Sequence, residues 1–343
     1  MTSSCTSLGR WQSAENPLAF RRSGCIVAHV PILGRSKEHT TGTPSASDTK
    51  PRFLATFDIE DWFHAENVRA SLSTTDPDAL EARIEPNVHE LLDILAEAGA
   101  RSTMFVLGWV AERYPAVVRR IVDEGHELAS HTHLHRNLNQ LPRDEVAREL
   151  GRAKDALEQV GGVAVRGVRA PNFSVSDEVL DVLAESGYRY DSSYFGFAQH
   201  DRYGRLSMEI DAGEPVVEVR PGLLEIQMTR VPVGPLSVPW AGGAYFRLIP
   251  YPAFRRGVSR QLRTTSWFTF YLHPWELDAE ESAPPGMPRF LRFRAYTGRT
   301  RVRRDLRRLV SEFGSSRIDE ALHDRGFGSA GHEERGEAPP HPG

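Results

Sequence analysis

Between residues 52 and 272 the chain alternates strand-like and helix-like runs, and this alternation restricts its fold more than any other feature. "RFLATFDIE" (52–60) reads as a strand, and "EPNVHELLDILAEAG" (85–99) sets Val88, Leu91, Leu92 and Leu95 on one helical face. "RSTMFVLG" (101–108) is strand-like again, and "VAERYPAVVRRIVDEG" (110–125) is helical up to Gly125, a residue suited to the left-handed C′ position. The pattern continues with a strand at 126–130, a helix at 142–162, "VRGVRAP" (165–171), a helix at 176–187 and "YRYDSS" (188–193). It ends with "LLEIQMTRVP" (223–232), a helix from about Pro252 to Leu262 and the strand "WFTFYL" (267–272). Alternation over this length implies an α/β fold with a mainly parallel sheet, either open or closed as a barrel.

The ends of the chain have a different composition. Residues 1–50 are rich in Ser, Thr, Gly and Pro and bury little, so a disordered leader is expected there, and the tail from 326 to 343 reads the same way. Both cysteines, Cys5 and Cys25, fall in the leader, which removes a disulfide framework or a cysteine zinc site from the body of the protein. A formal charge of −4 supplies no global field for nucleic acid or acidic membranes. No apolar run reaches the roughly 18–20 residues of a membrane span. The best signal-peptide candidate, "CIVAHVPILG" (25–34), is short and broken by His29 and Pro31. A cytoplasmic location is therefore expected. The sequence leaves the oligomeric state open.

Chemistry collects at the C-terminal ends of the expected strands. The first ends in Asp58, Glu60 and Asp61, and the third runs into "HELASHTHLHRN" (126–137) with His131 and His135. A later strand ends in Arg169 and the last in His273. In parallel barrels the catalytic groups come from these ends. Two imidazoles and one carboxylate form an ordinary set for a divalent metal with open positions. Such a metal lowers the pKa of water and polarises a carbonyl. A further carboxylate and a separate histidine can then serve as base and acid. The simpler readings are a solvated histidine loop, an acidic strand end, a structural arginine and a His–Pro strand terminator. Four strand ends nonetheless converge on one rim with carboxylates, imidazoles and a guanidinium.

The same residues carry a resemblance to the polysaccharide deacetylases, the NodB-homology domain of carbohydrate esterase family 4. "TFDIED", "SHTHLH", "RAPNF" and "YLHP" resemble four of the five family motifs in order, and "YDSSYF" partly echoes the remaining one. "MFVLGWVAERYP", "AGGAYFRLIPY" and "FYLHPWELD" look like a subgroup that has an additional C-terminal region and is associated with bacterial exopolysaccharide gene clusters. The resemblance implies a distorted (β/α) barrel of about seven parallel strands. It also implies a deacetylase domain over 51–275, a C-terminal extension with a basic helix over 276–325 and a bound divalent metal, usually zinc.

Carried over by position, Asp58 is the expected base, His131 and His135 are metal ligands, Arg169 orients the base and His273 is the acid. Asp191 is expected to help hold Arg169 or His273. Thr132 supports the loop, Pro171 and Phe173 shape the wall, and Leu272 lines the pocket. Trp275 is a candidate for stacking on a sugar, although aromatic residues at strand ends also serve as packing. The family has adjacent aspartates where this chain reads Asp58-Ile59-Glu60-Asp61. Strand alternation puts Asp58 and Glu60 on one face and favours Glu60 as the carboxylate ligand, with Asp61 as the alternative. His64 is an outside candidate for the cleft, while His126 and His133 are expected to be structural.

The implied reaction removes N-acetyl groups from hexosamine units of a polysaccharide. The competing readings are an allantoinase-like cyclic-amide hydrolase and a carbohydrate-binding protein without turnover. The nine arginines of 289–310 read as the solvated face of an amphipathic helix, and nucleic acid is not expected as a partner.

Overall fold

A computed structural model describes residues 50–69, 71–72, 80–196, 206–211, 213–233 and 236–327. The expected leader and tail therefore lie almost wholly outside the described residues. The principal sheet contains β1 (Arg52–Ile59), β2 (Thr103–Val106), β3 (Glu127–Ser130), β4 (Gly167–Val168), β5 (Tyr190–Asp191), β6 (Val216–Arg220), β7 (Leu223–Ile226) and β10 (Trp267–Leu272). A separate hairpin pairs β8 (Val231–Val233) with β9 (Leu236–Val238). The strand order of the principal sheet is β10-β1-β2-β3-β4-β5-β7-β6. The seven strands from β10 to β7 are parallel, and β6 adds antiparallel to the β7 edge. This is the expected distorted barrel, a curled half-barrel of eight strands with helices on its outside.

Two details differ from the sequence reading. The run 110–125 forms two helices, Gly108–Arg113 and Pro115–Asp123, because Pro115 has no N–H with which to continue the first. The run 223–232 is two strands, β7 and β8, rather than one. Among the described residues no strand completes the curl on the outer edge of β10. Instead Tyr271 N–H donates to the Ala241 carbonyl at 2.9 Å, and Thr269 N–H donates to Thr229 Oγ1 at 2.8 Å.

Period-two alternation sorts the side chains of β1. Phe53, Ala55, Phe57 and Ile59 pack with the helix residues Val88, Leu91, Leu92 and Leu95. Leu54, Thr56, Asp58 and Glu60 point to the inside of the curl. There Leu54 joins Phe105, Ala129, Tyr190, Ile226 and Trp267 in an apolar plug towards the N-terminal ends of the strands. Ile318, Ala321 and Leu322 of the last helix, Ile318–Asp324, close the plug from below. Helix Arg299–Phe313 adds Val302, Leu306, Leu309 and Val310 to the outer core, so the C-terminal residues are part of the folded body.

The interior is tightest at Gly167. A Cβ there would meet Tyr190 Cζ at 2.0 Å, and the Tyr190 hydroxyl is tied to Glu127 Oε1 at 2.9 Å. Gly167→Ala is expected to lower the unfolding free energy by about 1–3 kcal/mol through overpacking. A denaturation midpoint equal to that of the unsubstituted chain would contradict this packing.

Candidate active site

The loop after β3 brings two imidazoles to the mouth of the curl. Thr132 and His135 adopt left-handed backbone conformations, φ 67° and 56°, which non-glycine residues hold only when their surroundings enforce it. The surroundings here are hydrogen bonds. Gly108 N–H donates to the Thr132 carbonyl at 2.9 Å and Trp109 N–H to the His133 carbonyl at 3.1 Å. Glu149 Oε2 accepts from the backbone N–H groups of His133 and Leu134 at 3.1 and 3.0 Å. A Cβ on Gly108 would lie 2.5 Å from His133 Nδ1, so this close approach requires glycine.

His131 Nδ1 lies 2.8 Å from the Arg169 carbonyl. As donor in that bond it leaves the Nε2 lone pair free for the site. Burial pushes His131 down to about 4, which keeps the ring neutral. One ligand atom each from Glu60, His131 and His135 can be chosen so that all lie within 4.8 Å of one another, and all three residues are buried. His135 Nε2 approaches Glu60 Oε2 to 2.8 Å, yet that oxygen lacks hydrogen-bond geometry with any partner. Burial would raise the Glu60 pKa, but the fields of His135, His273 and His131 outweigh it and hold the carboxyl below the usual carboxylate range. A buried anionic oxygen and two imidazoles facing a common point fit a divalent cation.

Asp58 and His273 flank this group. Asp58 Oδ1 accepts a hydrogen bond from Arg169 Nη1 at 2.7 Å, and Asp58 Oδ2 lies 3.8 Å from His273 Nε2. Arg169 is fully buried and also donates to Thr56 Oγ1 at 2.9 Å, the Ser192 carbonyl at 3.0 Å and Ser192 Oγ at 3.0 Å. His273 Nδ1 meets Glu276 Oε1 at 2.9 Å, and Glu276 Oε2 accepts from Arg247 Nε at 2.6 Å. Burial would lower the His273 pKa, but the bond to Glu276 and the charges of Glu60 and Asp58 raise it to about 9. Trp275 stacks on the His273 ring with centroids 5.0 Å apart and donates from Nε1 to Glu60 Oε1 at 3.2 Å.

Several expected residues lie elsewhere. Asp61 is not in the cluster, because its carboxylate accepts from the N–H groups of Trp62, Arg83 and Ile84 at 2.9, 2.7 and 3.1 Å. It thereby ties the β1 loop to the start of helix Ile84–Glu97. Asp191 contacts neither Arg169 nor His273 by hydrogen bond. It accepts from Ser193 Oγ at 2.5 Å and forms a buried carboxyl pair with Glu225 beside β7. Burial raises both carboxyls, Asp191 to about 6.

Leu272 falls on the helix-facing side of β10 by the same alternation that turns Tyr271 and His273 inward. Thr132 and Pro171 are buried behind the pocket, whereas Phe173 and Trp275 line it. His64 packs behind His135 and accepts Asp61 N–H at Nδ1, 3.2 Å away, and His126 accepts Ser102 N–H in the same way at 3.2 Å. Sequence reasoning missed Glu276, Arg247 and Tyr271 as site residues. The placement of Glu276 three positions after His273 was the available signal, because that spacing returns a side chain to the same turn.

Residues 63–190 match the family described as Polysaccharide deacetylase, and residues 192–323 match Domain of unknown function (DUF3473). A Sinorhizobium fredii chitooligosaccharide deacetylase is 40% identical over 29% of this chain and 46% of its own length. A Bacillus cereus peptidoglycan-N-acetylglucosamine deacetylase is 28% identical over 35% of this chain and 42% of its own length. The chain thus spans about half the length of these curated relatives. The crystal structure of a putative polysaccharide deacetylase from Mycobacterium smegmatis aligns with TM-score 0.54 and 24% identity, covering 84% of this chain and 96% of that one, a likeness of fold. Asp58 and Glu60 precede the first matched segment, while Arg247, His273 and Glu276 lie in the second.

The two carboxylate candidates give opposite expectations. Glu60→Ala should abolish stoichiometric metal uptake by the purified chain. Asp61→Ala should retain the metal and lose about 1–2 kcal/mol of stability with its backbone hydrogen bonds. Metal analysis and denaturant titration of both variants check this, and metal loss confined to Asp61→Ala would reverse the assignment.

Proposed function

We propose that the chain is a metal-dependent N-deacetylase of N-acetylhexosamine units in a bacterial exopolysaccharide. The catalytic domain would span residues 51–275, with 276–325 as an extension packed on the barrel. The observation that carries this reading is that Asp58 and His273, 3.8 Å apart, line one pocket together with the Glu60, His131 and His135 group.

Glu60, His131 and His135 would hold the metal. When bound, a divalent cation, with zinc the expected ion, polarises an amide carbonyl and makes water more acidic. Asp58 removes a proton from the attacking water through Oδ2, the oxygen left free by Arg169. Arg169 fixes that carboxylate in direction through a charge-assisted bond. His273, with Nδ1 engaged by Glu276, presents Nε2–H to the pocket and protonates the departing amine. Acetate and a free amino sugar result. Phe173, Tyr271 and Trp275 line the same pocket and supply flat apolar surface for the sugar ring.

Acetate release from N-acetylglucosamine oligomers should require a divalent metal, stop with chelator and resume on metal addition. Asp58→Asn should lower kcat by about 10²–10⁴-fold as general-base transfer is lost. Ring opening of hydantoins or imides without acetate release would favour the cyclic-amide reading. Sugar binding that persists in Asp58→Ala, with no turnover by the unsubstituted chain under any metal, would favour a binding protein.

The acid also sets the pH dependence. His273 is the donor only while protonated, so activity falls on the alkaline side as pH rises through a value near 9. Glu276→Gln removes the largest influence raising that pKa and should move the alkaline limb to lower pH. A limb unmoved in the kcat profile would argue against His273 as the proton donor.

A further inference from the structure

The pocket is not walled by the barrel alone. Arg294 and Ala295 of helix Arg289–Tyr296 line it beside His273 and Trp275. The helix is anchored there by Ala295 packing with Val68 and Met287, and by the Arg294 carbonyl accepting from Arg247 Nη2 at 2.8 Å. Its outer side exposes two large rings, Phe290 at 71% and Phe293 at 53%.

Most of the arginines that follow have an acidic partner, while Arg301 donates to the Ile249 carbonyl at 3.0 Å and Arg308 lies 3.9 Å from the Asp305 that Arg304 holds. Arg299 pairs with Glu281 at 2.6 Å, Arg303 with Glu90 at 2.6 Å, Arg304 with Asp305 at 2.9 Å and Arg307 with Glu97 at 2.7 Å. The guanidinium groups of Arg289, Arg292 and Arg294 have no hydrogen bond or ion pair with any described residue. Three of the pocket's four carboxylates are already engaged, Asp58 by Arg169, Glu60 by His135 and Glu276 by Arg247. The fourth, Glu66, accepts from Asn172 Nδ2 at 3.3 Å and is exposed. One short helix thus joins the reaction pocket to a surface of uncompensated guanidinium groups and bare aromatic rings. Exposed apolar surface of this kind marks a binding face, and guanidinium forks select carboxylates.

We propose that helix Arg289–Tyr296 continues the substrate groove, and that the polymer is acidic, with carboxylate-bearing sugars flanking the N-acetylated unit. The proposal rests on the deacetylase reading of the pocket and deepens it by naming the substrate class. Anionic lipid would meet the same outer residues. Arg294, however, lines the pocket, where a sugar strand reaching the reaction centre must pass and a bilayer surface does not.

The test is calorimetric binding to the full chain stripped of metal with EDTA, so that no turnover intervenes. The ligands are a hyaluronan hexasaccharide, in which N-acetylglucosamine alternates with glucuronate, and neutral chitohexaose. At about 50 mM salt the acidic ligand should bind on the order of tenfold tighter, as expected for a few partly exposed charge contacts. At about 0.5 M salt screening should erase the difference. The combined variant Arg289→Ala, Arg292→Ala, Arg294→Ala should lose the preference while keeping its melting temperature, since it breaks no internal ion pair. Equal affinities at low salt, a preference retained in the variant, or binding to phosphatidylglycerol vesicles without binding to hyaluronan would each overturn the proposal. An acidic preference with no acetate released from either ligand by the metal-loaded chain would support the groove and sink the deacetylase reading alone.

Discussion

The site depends on one buried charge. Arg169 is fully enclosed at the centre of the curl, its guanidinium 4.1 Å above the Phe105 ring and 5.8 Å from that of Tyr271. A cation in such a place is tolerable only when paired and fully hydrogen-bonded. Asp58, Thr56 and Ser192 meet that demand from β1 and from the residues after β5, so one side chain on the β4 end fixes the relative positions of three strand ends. Removing either member of a buried pair leaves an uncompensated charge at a cost of about 3–5 kcal/mol. Asp58 therefore has a structural partner it cannot leave, and only Oδ2 remains for chemistry. The Arg169 carbonyl meanwhile sets the orientation of His131, so the same residue links Asp58 and His131 through different atoms.

Much of this was legible in the sequence because strands have a rigid period. Asp58 and Glu60 share a face, and so do Tyr271 and His273, because side chains alternate along β1 and β10. The same rule places Leu272 among the helices, a consequence readable once the strand containing His273 is accepted. What the sequence could not give was the path of the chain after a strand ends. Asp61 leaves the face at that point and becomes a cap for backbone donors that arrive from residues 83 and 84. Asp191 belongs to a two-residue strand, too short for its pattern to show which face it takes, and its partner Glu225 is 34 positions away. A mainly parallel sheet followed from alternation of period, and its count of about seven strands from the resemblance, whereas the antiparallel β6 edge and the β8–β9 hairpin lie where that alternation lapses.

His273 and the charges that hold it belong to the second matched segment. Glu276 is held at 2.6 Å by Arg247, which is itself buried and bound to the carbonyls of Arg294 and Thr297 at 2.8 Å each. The Glu276 carboxyl is kept at about 2 because Arg247 and His273 outweigh its burial. Its negative charge in turn keeps the His273 imidazole protonated. Asp58, Glu60, His131 and His135 thus depend on β1, β3 and β4, while His273 depends on a chain of charges that reaches the helix at 289–296.

This division has a physical consequence for how the two segments can be separated. A domain cut at 191 would leave Asp58, Glu60, His131, His135 and Arg169 in place but remove β7 and β10 from the sheet. Six residues of β1, from Arg52 to Phe57, would lose their register partners on the strand that carries Asp58. The exposed edge would then lie beside the Glu60, His131 and His135 group itself, and Arg169 would lose Met228 Sδ and the Tyr271 ring from its enclosure. The second segment therefore supplies three of the eight strands of the principal sheet and is not an appendage to it. The direction of Asp58 and the protonation of His273 are properties of the closed curl, which neither segment possesses alone.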